Sequence, residues 1–172
     1  MATSVVLLRG VNVGGNNRIA MADFKKVLTS LGATRADTYV QSGNAVVDLA
    51  AKGLAASVES ALTEQLGLTV RAVVVSAAEL KAIVAANPWP ELVDRPKQLH
   101  VVFCDEQPDA DRLNSLGLKQ GGDELVIGKK CLYLAYGEQS HNSPLVPVLK
   151  KVNGVTTARN WTTVTALFDL TR

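Results

Sequence analysis

The sequence predicts an α+β chain of two ferredoxin-like (split βαβ) modules, each an antiparallel sheet with packed helices. Three observations predict it. A strand-helix-hairpin-helix-strand-helix order runs through residues 1–86 and recurs through residues 98–172. Helical apolar spacing alternates with short β-branched runs. Residues 87–97, carrying Pro88, Pro90 and Pro96, read as a linker between the two series, because proline withholds a backbone donor and biases its predecessor away from helix. The repetition lies in element order, not in residue identity.

Residues 5–9 form a short apolar run that breaks at Gly10, which reads as a buried strand. Met21, Phe24, Val27, Leu28 and Leu31 recur at three- and four-residue steps, the stripe of an amphipathic helix, with Gly32 placed for a left-handed end. Residues 37–41 and 44–49 flank Ser42-Gly43 as a hairpin. Leu54, Val58, Ala61, Leu62 and Leu66 mark a second helix closed by Gly67, and residues 70–75 are β-branched enough for a strand. Ser76 and Glu79 have the spacing of a capping box for a helix through Ala86. In the second series, residues 98–104 read as a strand and 109–116 as a short helix. Residues 124–128 and 131–136 form a hairpin turning at Lys129-Lys130. A helix over Leu145, Val148, Leu149 and Val152, a short strand at 155–158 and a last helix at 161–170 complete it.

Composition excludes several classes. Over 172 residues, 18 Lys and Arg stand against 16 Asp and Glu; a net charge of +2 is too small for capture of nucleic acid or an acidic membrane by bulk field, so any anion site must be local. The only apolar stretch near the start is too short for a signal or a membrane span, and a cytoplasmic, non-membrane protein is expected. Cys104 and Cys131 lack the close pairing of a zinc or redox motif.

In the expected topology the loop after the first strand, residues 10–18, and the hairpin turn, residues 41–44, lie at one edge of the first sheet. That rim offers Arg9, Asn12, Asn16, Asn17, Arg18, Gln41, Ser42 and Asn44, with pliable backbone at Gly10, Gly14, Gly15 and Gly43. Gly10 and Gly15 have the spacing of phosphate-loop glycines. Asn16 and Asn17 stand where that motif has lysine and a hydroxyl residue, which rules out a nucleotide hydrolase of that type. The plainer reading is that these glycines and asparagines serve turns. Arg9 is the chosen cation for a carboxylate or phosphate, against a structural ion pair; Gln41 and Asn44 suit a sugar, amide or base edge, or simply tie the hairpin.

At Leu7-Leu-Arg9-Gly-Val-Asn12-Val-Gly14-Gly15, Tyr39-Val-Gln41-Ser42-Gly43-Asn44 and Thr156-Thr-Ala-Arg159-Asn160-Trp161-Thr-Thr-Val164, the chain resembles a bacterial family known as domain of unknown function 1697. The resemblance runs over nearly the whole chain. It implies a two-part α+β structure of ferredoxin-like topology and no established activity. Where that family often has Ser-Lys and then a Thr-Asn pair, this chain has Ser140-His141-Asn142-Ser143-Pro144, which weakens any lysine-dependent role. Arg159 and Asn160 become a second candidate part of the site, with Asn160 also placed to cap the last helix. Trp161, Val164, Leu167 and Phe168 keep helical spacing, so the indole is expected in the core.

Catalytic candidates are thin. His100 and Cys104 share a strand face but stand roughly 13 Å apart, beyond hydrogen-bond reach. Ser140-His141 has no identifiable orienting carboxylate. Asp105, Glu106, Asp109 and Asp111 read as helix-start charge, and no metal site is expected. The binding set is therefore Arg9, Asn12, Gly14, Gly15, Asn16, Gln41, Ser42, Asn44, Arg159 and Asn160, for a small anionic or nucleotide-like ligand. No reaction or cofactor is assigned by the sequence. RNA binding and a structural oligomerisation module are the competing classes; with aromatics at 5%, no stacking series for RNA is present.

Overall fold

The computed structural model describes residues 2–137 and 142–172; the Ser140-His141 pair lies outside them. Packing divides the chain into two compact units, one of Met1–Lys81 with Ala166–Arg172 and one of Ala82–Thr165. The proline-bearing stretch at 87–97 falls inside the second unit, where it forms a 3-10 turn at Pro90–Leu92.

In the first unit β1 (Ser4–Leu8), α1 (Met21–Ser30), β2 (Ala36–Tyr39), β3 (Asn44–Val47), α2 (Leu54–Leu66) and β4 (Ala72–Ser76) succeed one another. The sheet runs β2-β3-β1-β4 with every neighbouring pair antiparallel, so β1 and β2 are parallel with β3 between them. Alternation along β1 sends Val6 and Leu8 into a core with Phe24, Val27 and Leu28 of α1 and Val58 and Leu62 of α2. Both helices stop where a glycine takes positive φ, Gly32 at +101° and Gly67 at +65°. The capping box forms as the spacing predicts. Ser76 N donates to Glu79 Oε2 at 2.7 Å and Glu79 N to Ser76 Oγ at 3.1 Å, starting α3 (Ala77–Ala85).

β3 ends at Val47 and β4 starts at Ala72, each two residues inside the expected strand, and two further boundaries move at the rim. β1 ends at Leu8, which leaves Arg9 outside the strand, ahead of Gly10 at φ +66°. β2 ends at Tyr39, two residues before the sequence reading, because Val40 at φ +49° leaves the extended region.

The second unit contains β5 (Leu99–Cys104), α4 (Ala110–Leu116), β6 (Lys119–Gln120), β7 (Asp123–Ile127), β8 (Cys131–Ala135), α5 (Val146–Leu149) and β9 (Thr156–Asn160), then enters α6 (Trp161–Leu170). Its sheet runs β6-β7-β8-β5-β9, antiparallel throughout. Without β6 this is the strand order of the first sheet. β6 is an addition the sequence reading lacks: two residues between Gly117 and Gly121 carry no periodicity to detect. The helix expected through Val152 shrinks to four residues. Lys151 N and Val152 N reach back only three residues, to Val148 O and Leu149 O, so the last turn tightens out of α geometry. β9 runs on to Asn160, two residues past the expected strand. Trp161 is buried, as its spacing predicts. Among the described residues no helix is long and apolar enough to cross a membrane.

Candidate functional site

The loop after β1 is built as a miniature hairpin. Val13 and Asn16 form a β-bridge around Gly14 at φ +58° and Gly15 at φ +79°, the paired positive φ of a tight primed turn. Asn16 N donates to Val13 O at 3.0 Å and Asn12 N to Asn17 O at 3.3 Å. The glycines are required by this turn, which replaces the phosphate-loop resemblance with a defined, different geometry.

Asn12 fastens that small hairpin to its surroundings. Its side chain donates to Ile19 O at 3.0 Å and Gln41 O at 2.6 Å, and accepts from Ile19 N at 2.9 Å, while its own backbone holds φ +54°. The loop and the β2–β3 turn therefore meet at one edge of the first sheet. Gly43 makes the meeting close: Leu8 N donates to Gly43 O at 2.8 Å, and a Cβ on Gly43 would lie 2.7 Å from both Leu8 Cβ and Val11 Cγ2. Asn44 is fully buried and donates to Tyr39 O at 3.0 Å and Ser42 Oγ at 2.7 Å, tying the hairpin from inside. Asn12, Ser42 and Asn44 are thus engaged in holding the rim together.

Of the rim's polar side chains, those facing solvent are Arg9, Asn16, Asn17, Arg18 and Gln41. Neither arginine side chain makes an ion pair or hydrogen bond with any described residue. A concave space of about 370 Å³ opens here, lined by Asn12, Gly15, Arg18, Ile19 and Ala20. Its wall ends at the start of α1, where Ala20 supplies no side-chain cap and Asp23 is the acidic residue of the first turn. Arg18, not Arg9, is the cation in the wall. The sequence counts Arg18 among the rim's donors but selects Arg9; the signal favouring Arg18 is its place just before the helix start at Met21.

Arg159 and Asn160 belong to the second unit. Arg159 is 7% exposed, with Nη1 donating to Thr157 Oγ1 at 2.5 Å and Ala158 O at 2.9 Å, and burial pulls its guanidinium down to about 10. Asn160 Oδ1 accepts from Thr163 N at 3.0 Å, the cap bond of α6. His100 packs edge-on against Tyr136, ring centroids 5.1 Å apart; its buried Nδ1 has no partner among the described residues, and desolvation holds its pKa below the ordinary imidazole value. Burial, with Cys131 and Asp105 nearby, pushes the Cys104 thiol up to about 12, so a thiolate nucleophile is absent there at neutral pH. Three carboxylates of the acidic run are engaged internally, and the fourth, Asp111, is exposed in the first turn of α4. Asp105 Oδ1 accepts from Val155 N, Glu106 Oε1 from Asn153 Nδ2, and Asp109 Oδ1 from Arg112 N at the start of α4. Among the described residues no three His, Cys, Asp or Glu side chains gather as metal ligands would.

A family model described as a protein of unknown function, DUF1697, matches residues 1–133. That span holds the motifs at residues 7–15 and 39–44; the one at 156–164 lies beyond it. Among solved structures, a conserved bacterial protein, SP0830 from Streptococcus pneumoniae, is similar over 99% of both chains, with 23% identity and a TM-score of 0.75. At that identity the likeness is one of fold. No match was found among curated proteins.

Proposed function

The chain belongs to the DUF1697 family, whose description assigns no activity, and from its geometry we propose that the first-unit rim binds a small anion with Arg18 as its principal cation. One observation carries this reading: an exposed guanidinium with no internal partner among the described residues stands in the wall of a concave space about 370 Å³ in volume. Elsewhere on the chain Arg35 is paired with Asp37 and Arg71 with Glu59, whereas Arg95 and Arg112 are exposed without an ion pair among the described residues, so it is the concave space beside it that sets Arg18 apart. The α1 start in the same wall adds backbone N–H groups that favour negative charge, partly offset by Asp23. Arg9 raises the local potential without lining the space. The order of strands, with the first strand central and the hairpin at one side, supports reading both units as ferredoxin-like modules, which is what brings the first loop and the first hairpin to one edge.

Titration with inorganic phosphate, monitored through amide chemical shifts, tests the reading. Shifts are expected to centre on Gly15, Arg18 and Ala20. Arg18→Ala should weaken binding by about tenfold or more, the worth of a charged hydrogen bond. Arg9→Ala should weaken it less, and Lys119→Ala not at all. An Arg18→Ala variant that binds phosphate as the native chain does would overturn the proposal.

A further inference from the structure

The same rim carries apolar surface that folding does not explain. The exposed large hydrophobics among the described residues are Val13, Val40, Leu66 and Val93, and two of these four stand on this edge. Val13, at 64% exposure the most open of them, adjoins Asn12 of the cavity wall and bridges to Asn16. Val40 precedes Gln41, whose carbonyl accepts from Asn12. It is 49% exposed and holds φ +49°, a conformation that a β-branched residue adopts at a cost and asparagine or glycine adopts readily. Neither burial nor turn geometry accounts for valine there; contact with a bound molecule would.

Charge and polarity narrow what that molecule is. Residues 9–20 and 39–44 include Arg9 and Arg18 and no Asp or Glu. The exposed side chains of Asn16 and Gln41 bond to no described residue, and each offers both a donor and an acceptor. Resting on the anion reading, we propose that the rim takes a nucleoside monophosphate: phosphate at Arg18, sugar and base against Val13 and Val40, base edge to Asn16 or Gln41. A plain alkyl phosphate would meet the valines but strip water from the two amides without replacing its hydrogen bonds. A long polyanionic strand would need more cations than two.

Calorimetric titration with inorganic phosphate, adenosine 5′-monophosphate, uridine 5′-monophosphate and hexyl phosphate tests this. At least one nucleotide should bind about tenfold tighter than phosphate, the ratio two partly covered valines supply. Val13→Ser combined with Val40→Asn should remove that advantage and leave phosphate affinity unchanged, whereas Arg18→Ala should weaken both. Equal binding of nucleotides and phosphate, or a ratio untouched by the valine changes, overturns the nucleotide proposal while the anion reading stands. Hexyl phosphate matching the better nucleotide overturns the nucleoside part in the same way. Unchanged affinity for every ligand on Arg18→Ala overturns both readings together.

Discussion

The two sheets share a strand order, and each uses one amide side chain to buckle the loop after its first strand to its hairpin. In the first unit Asn12 reaches Gln41 O; in the second, Gln107 donates to Gly128 O at 3.0 Å and accepts from Lys130 N at 2.8 Å. The charges around the two buckles differ. The second loop is acidic, and its carboxylates are taken up by Val155 N, Asn153 and Arg112 N. The first loop is cationic, and its two arginines find no partner among the described residues. One topology thus supports a loop whose charges serve the fold and a loop whose charges face outward, and the outward one is where a ligand can gain from them.

The largest effect should come from the hairpin glycines. Gly43→Ala places a Cβ against Leu8 and Val11 and forces alanine to φ +80°; steric overlap and left-handed strain together should cost about 3–5 kcal/mol. Gly128→Ala also crowds its neighbours, Cys131 Sγ at 2.6 Å and Tyr133 Cε2 at 2.8 Å, but without positive φ it should cost about 1–3 kcal/mol. Urea midpoints that place Gly128→Ala below Gly43→Ala would show that crowding at Gly128 outweighs the left-handed strain at Gly43 and break the comparison.

The buckles come next. Asn12→Ala removes three hydrogen bonds and leaves alanine at φ +54°, for about 2–3 kcal/mol; Gln107→Ala removes two bonds at an exposed site, for about 1 kcal/mol. Amide hydrogen exchange should show Asn12→Ala loosening Ile19 in particular. Protection at Ile19 equal to that of the native chain would mean the loop holds without its buckle.

The legibility of these features in the sequence depends on periodicity. The helices at 21–30 and 54–66, the capping box at Ser76 and Glu79 and the last helix are legible, because apolar spacing and cap chemistry are local signals. The convergence of loop and hairpin is legible through topology. The partition within the rim is not. Asn12 and Asn44 offer the same donors whether they face a ligand or a carbonyl, and only the folded distances show them holding carbonyls of Gln41 and Tyr39. Arg18 is visible as a rim donor but not as a wall of the cavity, since that depends on how the turn at Gly14-Gly15 folds back before α1. Val13 and Val40 look like strand or core residues by type; their exposure arises from turn geometry that composition does not encode.

Val40 sharpens the contrast from the other side. Because φ +49° disfavours a β-branched residue, Val40→Asn should raise stability by about 1 kcal/mol, read as a higher urea midpoint. A fall in stability would mean that the valine has a packing role and would weaken the case for an outward-facing contact.

The last effect vanishes at neutral pH and grows below it. β5 carries His100 one residue into the strand, where β1 has Val5, and burial holds that imidazole below its ordinary value of 6.5. Between the unfolded and folded values the unfolded chain binds the proton and the folded one does not, so stability falls as pH drops from about 6.5 toward the folded value and is flat below it. One group limits the slope to about 1.4 kcal/mol per pH unit. Asp48, lowered by the Thr34 hydroxyl and the Arg35 amide, loses its contribution only below the unfolded carboxylate value, whereas the His100 loss sets in already just below about pH 6.5. His100→Val makes β5 match β1 at this position and should remove the fall in stability that begins just below about pH 6.5 while leaving the acid limb in place. A variant retaining the slope just below about pH 6.5 would assign it to another group and remove this difference between the two sheets.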